Sequence, residues 1–322
     1  MLDPQAKALV DLVASKNIPG PEQVTPDEAR ELYKKSRGRL QPVKPEVGSV
    51  SDFVLGQGNA SFIVRQYRPL GADDQTALPA LIYFHGGGWL MGDIDTHDTL
   101  CRQLANFAGV MVFSVNYRKA PEHPFPAAVG DAIIATSHMI EHAAQRGINP
   151  EKIAIGGDSA GANLATVVTH TLRGKGGLSL VCQLLIYPAT DMHFNTESIY
   201  RYATGYLLTA SAMRYFREQY LPDEQAISDP RASPLLFDDL SHLPPALVLT
   251  AGFDPLRDEG RAYADALSVA GNRVQYICFE RQIHGFIGMG GIIDEANTAV
   301  RLCADYLREQ LQGDRKGLQA VR

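Results

Sequence analysis

Gly157-Asp158-Ser159-Ala160-Gly161 follows a β-type run, Lys152-Ile153-Ala154-Ile155-Gly156, and leads into an apolar helical run, ANLATVVTHTL. Strand, tight turn and helix in that order is the setting in which a serine is presented as a nucleophile. Glycines on both sides let the chain turn sharply without Cβ clashes, which lifts the Ser159 hydroxyl above the sheet edge and aims a helix N-terminus at a reacting carbonyl. A second candidate, His85-Gly86-Gly87-Gly88-Trp89, follows the apolar run ALIYF. Taken alone it also fits a flexible loop, the weaker of the two readings. Upstream of the serine turn, its glycine amides together with the Ala160 N–H would form a cradle for an oxyanion.

A serine nucleophile needs a base, and the base needs an acid to orient it. Asp254 stands after the strand-like run ALVLTAG, and His284 lies beyond VQYICFE, so each falls at the end of a later strand. The order Ser, Asp, His is that of α/β-hydrolases. Asp258 and Glu259 compete with Asp254 for the acid's role, but they open the next helix, where carboxylates serve as caps and dipole partners. Asp158, beside the nucleophile, reads as a brace for the elbow or the HGGG loop rather than as a second acid. The chemistry implied is acyl transfer through an acyl-enzyme: His284 takes the Ser159 proton, Asp254 fixes the imidazole tautomer, and water completes the cycle.

HGGGW, VNYRKAPEHPFPAA, GDSAG, AGFDPLRDEG and HGF together resemble the hormone-sensitive-lipase-like (bacterial family IV) esterases, over nearly the whole chain. That resemblance implies a carboxylesterase and an oxyanion hole made by the amides of Gly87, Gly88 and Ala160. It also implies cis prolyl bonds at Ala120-Pro121 and Phe125-Pro126. Lys119 departs from the family, which more often carries Leu there. Two other functions stand beside ester hydrolysis: an amide or acetyl deacetylase using the same triad, and a non-catalytic small-ligand receptor. The presence of His284 favours an enzyme, since the receptors of this family lost that residue.

The elements that must hold these residues follow from hydropathy. β-rich runs near 49–55, 60–68, 80–84, 110–116, 152–156, 180–186, 246–250 and 273–279 alternate with helical runs near 97–108, 127–145, 160–173, 258–270 and 292–311. The pattern predicts an α/β fold of the α/β-hydrolase type, an eight-stranded, mostly parallel sheet with helices on both faces and a helical cap. Residues 49–189 and 223–322 make the core, 1–48 an N-terminal cap segment of two helices, and 190–222 a second cap segment. In the latter, Thr209 opens a helix on which Met213, Phe216, Arg217 and Tyr220 recur at three- and four-residue spacing. With Leu207, Trp89 and Tyr187, that face is expected to roof the site and limit substrates to short- and medium-chain acyl groups.

With 322 residues, 45% of them hydrophobic, the chain can bury one large core. A net charge of -6 with no Lys/Arg run excludes a nucleic-acid footprint, so the expected partner is a small-molecule ester. The opening MLDPQAKALV has no basic and apolar leader pattern, and no apolar stretch is long enough to span a bilayer; the expectation is a cytoplasmic protein without stable membrane anchoring. No cofactor and no metal is expected, because neither the histidines nor Cys101, Cys182, Cys278 and Cys303 have ligand spacing. The cysteines read as buried free thiols, and Asp93, Asp95 and Asp98 as solvated charge at a helix start. The run 273–279 is apolar on both faces yet terminal, which predicts a homodimer through that edge.

Overall fold

The computed structural model describes residues 1–73, 76–174 and 180–313. Helices α1 (Pro4–Ser15) and α2 (Pro26–Leu40) come first, then β1 (Ser49–Leu55), β2 (Phe62–Arg68), β3 (Leu78–Phe84), α3 (Asp98–Ala108), β4 (Met111–Asn116), α4 (Ala127–Glu141), β5 (Ile148–Asp158), α5 (Ala160–Leu172) and β6 (Cys182–Ile186). Helices α6 (Glu197–Arg201) and α7 (Ala210–Tyr220) precede β7 (Ala246–Phe253), α8 (Arg257–Val269), β8 (Val274–Ile283) and α9 (Asp294–Gln312).

Alternate side chains of a strand face opposite sides of its sheet, and here both sides are apolar. Ile82, Phe84, Phe113 and Ile155 pack under α4 and α5, while Leu81, Tyr83, Val112 and Ala154 pack under α3 and α9. The strand order is β1-β2-β4-β3-β5-β6-β7-β8. β2 runs antiparallel to β1 and β4, and the remaining neighbours are parallel. The carboxyl ends of β5, β7 and β8 therefore open on one side of the sheet, the usual ligand side of such folds.

Several expectations are refined by tertiary context. The expected helix 127–145 stops at Glu141, and a 3₁₀ turn over Ala144–Arg146 follows before Gly147, at φ 69°, turns the chain into β5. The edge strand runs to Ile283 rather than 279, because after an irregularity near Ala251 the pairing resumes at Phe253 and Ile283. The acidic group at the start of α3 is ion-paired, with Asp95 half exposed as expected but Asp98 buried instead of solvated. Asp98 is only 2% exposed and meets Arg102, Lys44 and the Tyr67 hydroxyl, while Asp95 pairs with Arg65 and Lys34. A carboxylate is held inside only when so compensated. All four cysteines are free, but Cys278 is half-buried on β8. Both expected prolyl bonds are cis.

The N-terminal helices form where their caps indicate. Thr25 and Glu28 make a reciprocal capping box at the start of α2. The N-terminal segment meets α7 where the Ser211 hydroxyl donates to Glu22 at 2.7 Å. Among the described residues no helix is long and apolar enough to cross a membrane.

Candidate active site

Ser159 sits between β5 and α5 with φ 56° and ψ −119°, a strained conformation for a residue with a side chain. Its neighbours enforce the turn. A Cβ on Gly157 would lie 2.4 Å from the Phe84 carbonyl oxygen, and one on Gly161 only 1.9 Å away. The end of β3 thus packs against the turn as no larger residue would allow, and the Ser159 N–H is tied to the Ile186 carbonyl at 2.8 Å.

His284 leaves β8 and places Nε2 3.0 Å from Ser159 Oγ, with Nδ1 2.8 Å from Asp254 Oδ2. A carboxylate only accepts, so Nδ1 carries the proton and Nε2 is free to accept the serine hydroxyl's. Asp254 is fully buried, and its other oxygen accepts the Leu256 N–H at 2.8 Å. The carboxylate is therefore held on both oxygens. Asp258 and Glu259 face elsewhere: Asp258 accepts the Ser198 N–H and pairs with Arg257, and Glu259 accepts the Thr190 N–H.

The glycine loop packs beside the serine. Gly87 and Gly88 take φ of 125° and 63°, open to glycine but costly for other residues, and both line the cavity above Ser159. Ala160 is the first residue of α5, so its N–H has no carbonyl within its own helix to meet. Behind the loop, Asp158 Oδ1 accepts from the Gly86 N–H at 2.9 Å and the Tyr83 hydroxyl at 2.7 Å, and His97 lies within 3.4 Å of Oδ2. Burial alone would raise the Asp158 carboxyl, but His97 and the Tyr83 hydroxyl outweigh it and hold the group well below the usual carboxylate range. His85 is buried beside Lys119, and both effects push its imidazole toward the neutral form. Lys119 itself is lowered to about 8 by burial and donates to Asn116 Oδ1 at 3.0 Å.

A cavity of about 290 Å³ opens over Ser159. Of the residues expected to roof it, Trp89, Leu207, Met213 and Phe216 line it, whereas Arg217 and Tyr187 do not. Arg217 donates to the Met192 carbonyl and lies over Phe194, because one residue beyond Phe216 is a rotation of roughly 100° about the helix axis. Tyr187, in the turn after β6, rests its ring 4.6 Å from that of His284. Tyr220 is fully buried and stacks on Trp89. Much of the remaining wall comes from the N-terminal segment, including Leu9 and Val13 of α1, Val24, and Tyr33, Arg37 and Leu40 of α2. Helical periodicity marked part of this segment as amphipathic and suggested a cap, but nothing in the sequence identified which of its side chains line the cavity. Among the described residues no group of three or more His, Cys, Asp or Glu side chains is gathered to hold a metal.

Residues 81–288 match a family model described as the α/β hydrolase fold. The chain is 38% identical to an ethyl acetate hydrolase of Pseudomonas putida, over 96% of this chain and 99% of that protein. It is 48% identical to the carboxylic ester hydrolase LipN of Mycobacterium tuberculosis, over 74% of this chain, and spans 65% of that relative's length. Among solved structures, an ester hydrolase from the metagenome of Lake Arreo superposes with a TM-score of 0.92 at 40% identity, covering 96% of this chain and 98% of the other. An esterase of Pyrobaculum calidifontis gives 0.88 at 38% identity, covering 96% and 99%. With the expected fold, the Ser-His-Asp contacts and these relatives in agreement, the chain belongs to the α/β hydrolase fold family, in its branch of hormone-sensitive-lipase-like carboxylic ester hydrolases.

Proposed function

We propose that this serine esterase works through Ser159 as nucleophile, His284 as general base and acid, and Asp254 as the acid that orients it. The observation that carries the reading is the unbroken chain from Ser159 Oγ to His284 at 3.0 Å and from His284 to a fully buried Asp254 at 2.8 Å. His284 removes the hydroxyl proton as Ser159 attacks the ester carbonyl, and the oxyanion rests on the N–H groups of Gly87, Gly88 and Ala160. The alcohol departs with the proton from His284, and water then hydrolyses the acyl-enzyme by the same steps. The apolar cavity walled by Met213, Phe216 and Leu207 supports short- to medium-chain acyl groups as substrates.

The experiment is covalent labelling with diethyl p-nitrophenyl phosphate followed by peptide mapping. Label on Ser159 alone, abolished in Ser159→Ala together with p-nitrophenyl butyrate turnover, is the expected result. Label on another serine with activity retained in the variant would remove the assignment.

The segments 1–48 and 190–222 act in this reading as the cap and the rest as the catalytic core. We also infer a two-fold dimer through β8, whose Tyr276, Ile277 and Phe279 stay only partly buried at the sheet edge. The far end of that edge is already covered, since the Asp3 N–H donates to the Arg281 carbonyl at 2.9 Å. Light scattering that finds a monomer at micromolar concentration would refute the dimer.

A further inference from the structure

Arg37 lies in the last turn of the cap helix α2, far in sequence from the residues of the triad. Its guanidinium nonetheless reaches the loop that carries the base. Nη1 donates to the carbonyl of Gly285, the residue after His284, at 3.0 Å. The seat is shaped for it. A Cβ added at Gly285 would lie 3.0 Å from Nη2, and one added at Gly288 would lie 2.7 Å from Nη1. Arg37 therefore occupies space that two glycines leave open, and the Tyr33 ring, one turn back on α2, supports it at 4.9 Å.

The same side chain also borders the parts that hold the site from behind. With His97, Asp158 and Tyr187, Arg37 walls a small cavity of about 10 Å³. Asp158 bonds the Gly86 N–H of the glycine loop, and Tyr187 rests against the His284 ring. Among the described residues Arg37 makes no ion pair, so a substrate carboxylate is the rival use for its charge. Its bond to the Gly285 carbonyl instead directs it at the backbone beside the base.

We infer that Arg37 is a positioning residue for His284, holding the turn from His284 to Gly288 in its reactive arrangement only while the cap helix α2 is seated. The inference rests on the assignment of Ser159 and His284 above. It makes the N-terminal cap part of the catalytic geometry as well as a wall of the pocket.

The test is a double-mutant cycle on the full chain with p-nitrophenyl butyrate as probe. Arg37→Ala is expected to lower kcat by about 100-fold, the order of loss that a misplaced catalytic group produces, with KM changed less than about threefold. The rate of phosphorylation by diethyl p-nitrophenyl phosphate should fall with kcat, and added guanidine hydrochloride at millimolar concentration should restore part of the activity of this variant alone. Gly288→Ala displaces the guanidinium while leaving it on the chain, so it should reproduce the loss, and in the Arg37→Ala background it should cost nothing further. Gly288→Ala also keeps the test open if Arg37→Ala fails to fold.

An unchanged kcat in either single variant, or fully additive losses, would overturn the inference. So would a defect confined to KM and to esters bearing a carboxylate, which would make Arg37 a substrate contact. Ser159→Ala, run beside them, separates the two readings: if it keeps full activity, the site assignment itself fails, and if it is inactive while Arg37→Ala is normal, only the role of Arg37 is lost.

Discussion

Replacing Phe216 with alanine should lengthen the preferred acyl chain by roughly three carbons. The ring is 7% exposed, lines the cavity beside Met213, and lies so close to the glycine loop that a Cβ on Gly88 would come within 2.5 Å of it. It is therefore the side chain of α7 nearest the expected oxyanion donors, and its removal extends the lumen where an acyl chain begins. Each methylene buried there contributes about 0.8 kcal/mol, so three more contribute about 2.4 kcal/mol. At 1.36 kcal/mol per tenfold in rate, that is a rise of about 60-fold in kcat/KM for a decanoate ester relative to a heptanoate ester. The same truncation removes the ring from its contacts with Leu90, Met91 and Ala212 and should cost about 3 kcal/mol of stability, the low end for a buried phenylalanine because one face already borders the cavity. Measuring kcat/KM for p-nitrophenyl esters from C2 to C16, with thermal unfolding on the same samples, tests both figures. A wild-type optimum at C12 or longer, or an optimum that does not move in the variant, would show that α7 does not set chain length and would transfer that role to the wall made by Leu9, Val13 and Val24.

Asp254→Asn should keep the fold and lower kcat by about 10,000-fold, because the amide cannot fix the Nδ1–H tautomer of His284; a loss under tenfold in steady-state assays would contradict the triad. Asp158→Asn should lower kcat by about 100-fold with KM little changed, since the Gly86 N–H loses its carboxylate brace, and an unaltered kcat would show that the glycine loop holds itself. Burial holds the Glu259 carboxyl well above its ordinary 4.5, so the native state keeps a proton that the unfolded chain releases, and stability falls as pH rises beyond that ordinary value. Glu259→Gln keeps an oxygen for the Thr190 and Asp191 N–H groups and removes this penalty. Its Tm relative to wild type should improve from pH 5 to pH 8, and a difference constant across that range would refute the protonated carboxyl.

Legibility in the sequence followed the range of the interaction. Ser159 and Ala160 belong to a motif in which a turn and its neighbours are contiguous, so residue type and local pattern were enough to single them out, whereas the choice of Gly87 and Gly88 within the HGGG run came from the family resemblance. The proposed acid and base were legible because a parallel sheet sends the ends of successive strands to one side, and Asp254 was preferred to Asp258 and Glu259 because those two open the following helix. The acyl wall was less so. Met213 and Phe216 reach the cavity, but spacing alone could not separate them from Arg217, whose position depends on the Met192 carbonyl and the Phe194 ring arriving from an earlier part of the chain. Asp98 is similar, since the Lys44 and Tyr67 that bury it come from other elements.

By itself, then, the sequence determined the order of strands and helices, the buried faces of the sheet, the two glycine-flanked turns and the candidates proposed as nucleophile, base and acid, because each is written in periodicity or in short contiguous patterns. Only the tertiary structure decided which faces of α1, α2 and α7 close over Ser159, and that Arg37 reaches the loop of His284. Those contacts join segments distant in the chain, 248 residues apart for Arg37 and Gly285, and an amphipathic helix specifies that it will be covered without specifying by what.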